Sequence, residues 1–116
     1  MSDSAPVSWD HLKSRRPSDA EREALQAELV ERALAVRQHG WGEYREVWSS
    51  GDIAAVAYLL GDTDLLEALD EHEGSVLTRF AGDLYGFQGA RKDIESGLIE
   101  TQAWFDAARA KLAARG

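Results

Sequence analysis

Apolar residues recur every three or four positions along much of this chain, the spacing that places side chains on one face of an α-helix. The first such series is Leu25, Leu29, Ala33 and Val36. Before it, Ser18 and Glu21 have the spacing of a capping box, and after it Gly40 supplies a left-handed stop. The pattern therefore predicts one helix from about 19 to 39.

Glycines divide the middle of the chain into apolar runs that are too short for long helices and that lack the alternation of strands. These glycines are Gly51, Gly61 and Gly74. Short helices are predicted at about 43–49 and 52–60. A third is predicted after a cap at Asp62 or Thr63, and a fourth after a cap at Ser75.

The final segment, from about Arg91 to Ala114, has the most regular pattern. Its seam positions step alternately by four and three residues: Ile94, Leu98, Thr101, Phe105, Ala108 and Leu112. Such a heptad-like seam packs along another helix, either within the chain or in a homodimer through the C-terminal helix, residues 94–112. Gly97 lies inside the pattern and predicts a bend after Ser96.

Together these elements predict an all-α fold, a compact bundle of five or six helices with two longer terminal helices around shorter central ones. Residues 1–17 contain both prolines and the bases Lys13, Arg15 and Arg16, which predicts a mobile N-terminal arm before a single all-α domain at 18–116. The chain has no cysteine and no apolar run that could cross a bilayer. A cytoplasmic protein without a membrane role is expected.

Charge changes this picture, because the residues from 46 to 78 include no Lys or Arg. The chain has a net charge of −8 from 21 acids and 13 bases, and the acids of this stretch account for all of the excess. We call them the acidic block: Glu46, Asp52, Asp62, Asp64, Glu67, Asp70, Glu71 and Glu73. A block of one sign is either a solvated face or a surface for a cationic partner.

Three functional interpretations of the acidic block compete with simple solvation: docking of a basic protein, mimicry of nucleic acid, and binding of a divalent cation. The partner-binding residues predicted for it are Asp62, Asp64, Glu67, Asp70, Glu71 and Glu73. The segment from Gly61 to Asp64 resembles the start of a calcium loop but lacks the later ligands. No metal site and no cofactor are therefore predicted.

Aromatic residues suggest a second candidate site. Trp41, Tyr44 and Trp48 share one side of a short predicted helix and form part of the core, a hot spot for a partner protein, or one wall of a ligand pocket. The pocket hypothesis adds Asp83 and Tyr85 from the glycine-rich segment 82–89, and Arg91 just beyond that segment. A pocket joining both sets would hold a planar or anionic ligand.

The pattern favours a small protein-interaction module, an adaptor, regulator or inhibitor that docks a basic partner through residues 46–78. One alternative is an immunity- or antitoxin-like inhibitor of a nucleic-acid enzyme, and another is a small-ligand-binding domain or minor enzyme with the aromatic pocket. Direct nucleic-acid binding by the domain is disfavoured by its charge. No catalytic residues are predicted, since the three histidines and the serines form no known catalytic spacing.

Overall fold

The computed structural model describes residues 16–115, which are 82% helical and contain no strand. Six helices follow one another in this range: α1 Asp19–His39, α2 Tyr44–Val47, α3 Ser50–Leu60, α4 Thr63–Ala68, α5 Glu73–Glu95 and α6 Ile99–Arg115. The all-α prediction is confirmed. Most of the predicted N-terminal arm, residues 1–15, lies outside the described residues, as does residue 116.

Helix α3 is the centre of the bundle and packs against all five other helices. Its sequence is apolar on every side except its first turn, which is the pattern of a helix surrounded by protein. Alanines at 54, 55 and 57 are almost fully buried and let neighbouring helices approach closely. Val56 and the ring of Phe105 from α6 are also fully buried, so the core lies around α3.

Helix α1 begins and ends as its sequence predicts. The hydroxyl of Ser18 accepts from the N–H of Glu21 at 3.1 Å, and the N–H of Ser18 donates to the Glu21 carboxylate at 2.8 Å. Gly40 ends the helix with a φ of 76°. The buried face of α1 packs against α3 and α6, so the capping box fixes where this face starts.

Helix α5 is the longest, with 23 residues, and it corrects two sequence expectations about its bounds. It is capped by His72 rather than Ser75, and Ser75 is the third residue of the capping box. It also continues through the glycine-rich segment, broken only at Gly86, where φ is 75° and ψ 179°. The last predicted helix therefore begins at Ile99 instead of about Arg91.

The turn between α5 and α6 is held by Asp93, which is 1% exposed. Its carboxylate accepts from the N–H groups of Glu100 at 2.9 Å and Thr101 at 3.0 Å, and from the Thr101 hydroxyl at 2.5 Å. These bonds satisfy backbone donors at the start of α6. Gly97, with a φ of 89°, lies in the bend that was predicted after Ser96.

The predicted C-terminal seam is largely buried within the chain. Its buried members are Thr101, Phe105, Ala108 and Leu112. Phe105 contacts the rings of Tyr58, Phe80 and Trp104 at centroid distances of 4.9–5.1 Å. Ile94, which the seam predicted to be buried, is 44% exposed because it lies on α5, before the bend. The seam thus packs α6 against its own bundle.

Candidate functional site

A groove lies where the end of α3 and helix α4 meet the start of α5, with one side chain from α6. Its volume is about 390 Å³ and its lining is mostly apolar. Six of the residues that line it are Tyr58, Thr63, Leu66, Glu67, Glu73 and Arg109. Three of the predicted partner-binding residues, Glu67, Glu71 and Glu73, line it. It therefore joins part of the acidic block to an apolar concavity.

One wall of the groove is the C-terminal end of α3. Helix ends leave carbonyl groups without intrahelical partners, and Arg109 donates to two of them, the carbonyls of Tyr58 at 2.9 Å and Leu59 at 3.3 Å. The guanidinium also lies 4.5 Å from the centroid of the Tyr58 ring, a cation–π contact. Gly61 ends the helix in the left-handed conformation, with a φ of 75°. The Tyr58 ring is thus held in place on the groove side.

The opposite wall is α4 and the turn that follows it. Asp62 caps α4 by accepting from the N–H of Leu65 at 3.1 Å, and its other oxygen accepts from the indole N–H of Trp41 at 3.0 Å. Asp70 takes a φ of 58°, and the next N–H, that of Glu71, donates back to the carbonyl of Leu66 at 2.8 Å. This is the bond pattern of a Schellman turn with aspartate at the left-handed position.

The third side is the start of α5. The Nδ1 atom of His72 accepts from the N–H of Ser75 at 3.2 Å, and the Ser75 hydroxyl accepts from the N–H of His72 at 3.0 Å. The same hydroxyl donates to Glu71 at 2.7 Å. Arg79 completes the cluster by donating to the other oxygen of Glu71 at 2.7 Å. Glu71 is therefore fixed in its position at the rim.

Two titratable groups of the groove have shifted pKa values. The hydrogen bond from Arg79 lowers the pKa of Glu71 below its usual range, and the Ser75 hydroxyl acts in the same direction. Burial raises the pKa of the Tyr58 phenol, and the nearby positive charge of Arg109 opposes this shift only in part. Tyr58 is therefore neutral at physiological pH, and Glu71 is charged.

The acidic block is divided between internal and exposed roles. Asp52 lies 3.2 Å from the guanidinium of Arg32, Asp62 caps α4, and Glu71 pairs with Arg79. Within residues 16–115 no ion pair is found for the remaining members, which are exposed: Glu46, Asp64, Glu67, Asp70 and Glu73. Glu73 accepts from the Tyr58 hydroxyl at 3.4 Å. Four of these five lie on α4, its turn or the first residue of α5.

The predicted aromatic pocket is not brought together as one site. Tyr44 and Trp48 stack on each other, with centroids 4.6 Å apart, and the Trp48 ring lies under Arg32. Tyr85 instead lies under Arg22 and donates to the carbonyl of Glu100 at 3.2 Å. The two arginines are ten residues apart on α1, which corresponds to about 15 Å along the helix.

The other members of that predicted pocket are also spread out. Trp41 is bonded to Asp62, while Asp83 and Arg91 are exposed residues of α5. Loss of hydration raises the pKa of Asp83, and Arg79 partly opposes this shift. Arg91 lies near the end of α5 and lines a separate concavity. The three aromatic residues of the first set pack against the edge of the core instead.

Sequence reasoning missed the apolar half of the groove. Tyr58 and Leu66 belong to runs that read only as helix faces, and nothing near Arg109 in the sequence marks it as a neighbour of residues 50 positions earlier. The missing information is tertiary, namely the packing of α6 along α3. No local sequence pattern predicts which residues of α6 contact α3.

Comparison with known proteins gives no match to this chain from a family model, a curated protein or a solved structure. Among the helices of residues 16–115, none has the length and apolar character needed to cross a bilayer. In the same range, no three His, Asp or Glu side chains converge in a way that could hold a metal ion. The geometry of the groove is therefore the basis for a functional proposal.

Proposed function

We propose that this protein is a small interaction module that binds a basic segment of a partner protein in the groove between α3, α4 and α5. The observation that carries the proposal is the combination of an apolar floor with exposed carboxylates on one rim. The floor includes Tyr58 and Leu66, and the rim includes Glu67 and Glu73. A partner segment would place an apolar side chain in the groove and Lys or Arg beside it.

The charge around the groove supports a cationic partner. Arg79 is offset by Glu71, and Arg109 by Asp106 at 3.3 Å. The exposed carboxylates named above for α4, its turn and the start of α5 are not offset in this way. Their field attracts positive groups and raises the rate of encounter, most strongly at low ionic strength.

The apolar floor supports a protein segment rather than a simple counter-ion. Exposed carboxylates on their own bind Lys and Arg weakly, because water solvates both partners well. Burying one apolar side chain contributes about 1.5–3 kcal/mol and gives the site a preferred register. A volume of about 390 Å³ accommodates one large side chain with its neighbours.

The test begins with selection of binding peptides from a random peptide library, using the wild-type protein as bait. We expect the selected peptides to carry Lys or Arg next to one large apolar residue. Their dissociation constants are then measured by fluorescence anisotropy at low and at physiological salt. We expect weaker binding at the higher salt concentration.

Two matched variants locate the binding site. Thr63→Arg adds a long cationic side chain to the groove rim, whereas Thr78→Arg makes the same change at an exposed position of α5 that does not line the groove. We expect Thr63→Arg to weaken the selected peptides by about tenfold or more and Thr78→Arg to change them by less than about twofold. Equal loss in both variants, or selected peptides without positive charge, would contradict the proposal.

A further inference from the structure

The last turns of α5 present a surface that is separate from the groove. Phe87 is 62% exposed and Ile94 is 44% exposed, and a separation of seven residues places both on the same side of the helix. Beside them lies a concavity of about 280 Å³, lined by Gln88, Arg91, Lys92 and Glu95. We call Phe87, Ile94 and the lining of this concavity the α5 end face. Exposed apolar side chains of this kind mark a surface that another segment can cover.

The first residue that the structure describes lies against the same part of α5. The guanidinium of Arg16 is 5.3 Å from the centroid of the Tyr85 ring, a cation–π contact. Its Nη1 atom would lie 3.3 Å from a Cβ atom built at Gly89, so the arginine side chain closely approaches the helix backbone there. The chain therefore enters the bundle beside the end of α5.

Arg22 on α1 fixes this entry point. It donates to the carbonyl of Pro17 at 2.6 Å and to the carbonyl of Leu84 at 3.3 Å. The Leu84 carbonyl lies two residues before the break of α5 at Gly86. One guanidinium thus joins the start of the described chain to α5, and residues 1–15 extend from a fixed point.

The way from that point to the apolar side chains runs over the α5 end face. At about 100° per residue, Phe87 lies about 160° around the helix from Gly89, with the concavity between them on the solvent side. The buried Ala90 and Asp93 lie on the opposite arc. Half the circumference of a helix about 10–12 Å across is about 16–19 Å. Trp9, seven residues before the first described residue, can extend about 23–25 Å and so reaches Phe87.

Residues 1–12 also suit the α5 end face in chemistry. They contain two acids, one of them Asp10, and no Lys or Arg, whereas the face carries Arg91 and Lys92. Among the described residues no ion pair is found for either of these bases. Trp9, next to Asp10, supplies a large apolar ring, and tryptophan is the aromatic side chain that forms the most favourable cation–π contacts.

Attachment to the same chain favours this segment over a separate occupant of the face. A segment on a short tether that can span the distance is present at an effective concentration in the millimolar range, so weak contacts are sufficient. A second copy on the same face would instead bring Arg91 and Lys92 of one chain against those of the other, and like charges repel.

We propose that residues 1–15 pack across the α5 end face, so that the chain crosses the concavity and the indole of Trp9 covers Phe87 and Ile94 beside the guanidinium of Arg91. The sequence alone predicts a mobile arm, and the docked segment replaces that expectation. The proposal is independent of the proposed function, because the groove and the α5 end face share no residue.

A photo-cross-link tests the contact. Full-length chain with Gln88→p-benzoylphenylalanine is mixed with isotope-labelled wild-type chain, irradiated and digested, and we expect position 88 to be joined to residues 9–13 of the same, unlabelled chain. Thr78→p-benzoylphenylalanine, at an exposed position in the first half of α5, is the matched control and should give no cross-link to residues 1–15. The proposal is overturned by cross-links to the labelled chain, by equal cross-linking from both positions, or by no cross-link from position 88 to residues 1–15.

Limited digestion with trypsin measures the docking in the full chain. A docked segment must leave the face before the protease can cleave after Lys13 or Arg15, so the cleavage rate follows the undocked population. We expect Phe87→Ala and Trp9→Ala each to raise this rate by about tenfold, as loss of one buried aromatic contact implies. Val47→Ala, at a position that is 74% exposed on α2, is the matched control and should stay within about twofold.

Two further readouts of the same digest separate docking from other effects. Cleavage within residues 16–115 should be unchanged in every variant, which excludes unfolding as the cause of faster cleavage. The double variant Trp9→Ala with Phe87→Ala should be cleaved no faster than either single variant, because both remove the same contact. Fully multiplied effects in the double variant, or a wild-type rate in Phe87→Ala, would overturn the proposal.

Discussion

The two ends of α5 carry opposite chemistry on one helix. The start, at Glu73, has exposed carboxylates beside an apolar groove, whereas the end has exposed apolar side chains beside Arg91 and Lys92. Acids at the start and bases at the end both interact favourably with the helix dipole. The same electrostatic preference that stabilises the helix therefore gives the molecule two distinct surfaces.

The ends also differ in how they use a carboxylate. At the start, Glu73 is exposed and its contact with the Tyr58 hydroxyl is a long one, at 3.4 Å. At the end, Asp93 is buried and accepts three hydrogen bonds from the start of α6. A buried charge is tolerated only when it is fully hydrogen-bonded. The hydrogen-bond donors around each acid therefore determine whether it is an exposed charge or a buried structural group.

Among the variants that test this comparison, the one that removes the buried Asp93 carboxylate should have the largest effect on stability. Asp93→Ala leaves the N–H and hydroxyl of Thr101 buried without an acceptor, and we expect the free energy of unfolding to fall by about 2–4 kcal/mol. Urea denaturation followed by circular dichroism measures the change. Glu95→Ala, an exposed acid of the same helix, is the control and should change stability by less than about 0.5 kcal/mol. Similar losses in the two variants would mean that Asp93 is not the cap that holds α6.

Local signals in the sequence were sufficient for α1 and for the short helices. Ser18 with Glu21, Gly40 and Asp62 each act on backbone groups within four residues, so their effect can be read without a tertiary structure. This locality explains why the bounds of α1 agree with the prediction. It also explains why the all-α class followed from spacing alone.

The same signals failed where packing overrides them. A new helix was predicted from about Arg91, but α5 continues to Glu95 with a break only at Gly86, and α6 begins at Ile99. Ser75 has the chemistry of a cap and takes the third position of a box that His72 begins. The groove needed Arg109 and Tyr58 together, which are distant in sequence. The groove thus depends on residues from different helices, and the cap of α5 depends on a residue type that is unusual at that position.

The second prediction concerns the wall of the groove. Arg109→Met keeps much of the aliphatic stem but removes the donors to the carbonyls at the end of α3 and the cation–π contact with Tyr58. Because Arg109 is 37% exposed, water can replace part of this bonding, and we expect a loss of about 1–2 kcal/mol in the free energy of unfolding.

Arg115→Met is the matched control for this variant, since it removes an arginine of the same helix whose side chain is 52% exposed and pairs with Glu31. The expected loss is below about 1 kcal/mol, as for other exposed ion pairs. Both values come from urea denaturation under the same conditions. An Arg115→Met loss as large as that of Arg109→Met would show that the end of α3 does not depend on the guanidinium of Arg109.

The smallest expected effect on stability concerns Glu71, the rim carboxylate that is held by hydrogen bonds, and this effect depends on pH. The bonds from Arg79 and Ser75 lower the pKa of Glu71 below its ordinary value of 4.5, so the charged form is favoured by folding. Its contribution to stability is therefore fully present above pH 4.5 and is lost as the pH falls through the lower pKa of the folded state.

We expect Glu71→Gln to lower the free energy of unfolding by about 0.5–1 kcal/mol at neutral pH. Urea denaturation of both proteins at several pH values should show this difference shrinking in acid. Glu67→Gln, at an exposed rim position without an ion-pair partner in residues 16–115, is the control and should lower the free energy of unfolding by less than about 0.5 kcal/mol at neutral pH. A Glu71→Gln difference that is constant from neutral pH into acid would show that Arg79 does not fix this carboxylate, and the contrast between a held and a free rim acid would then fail.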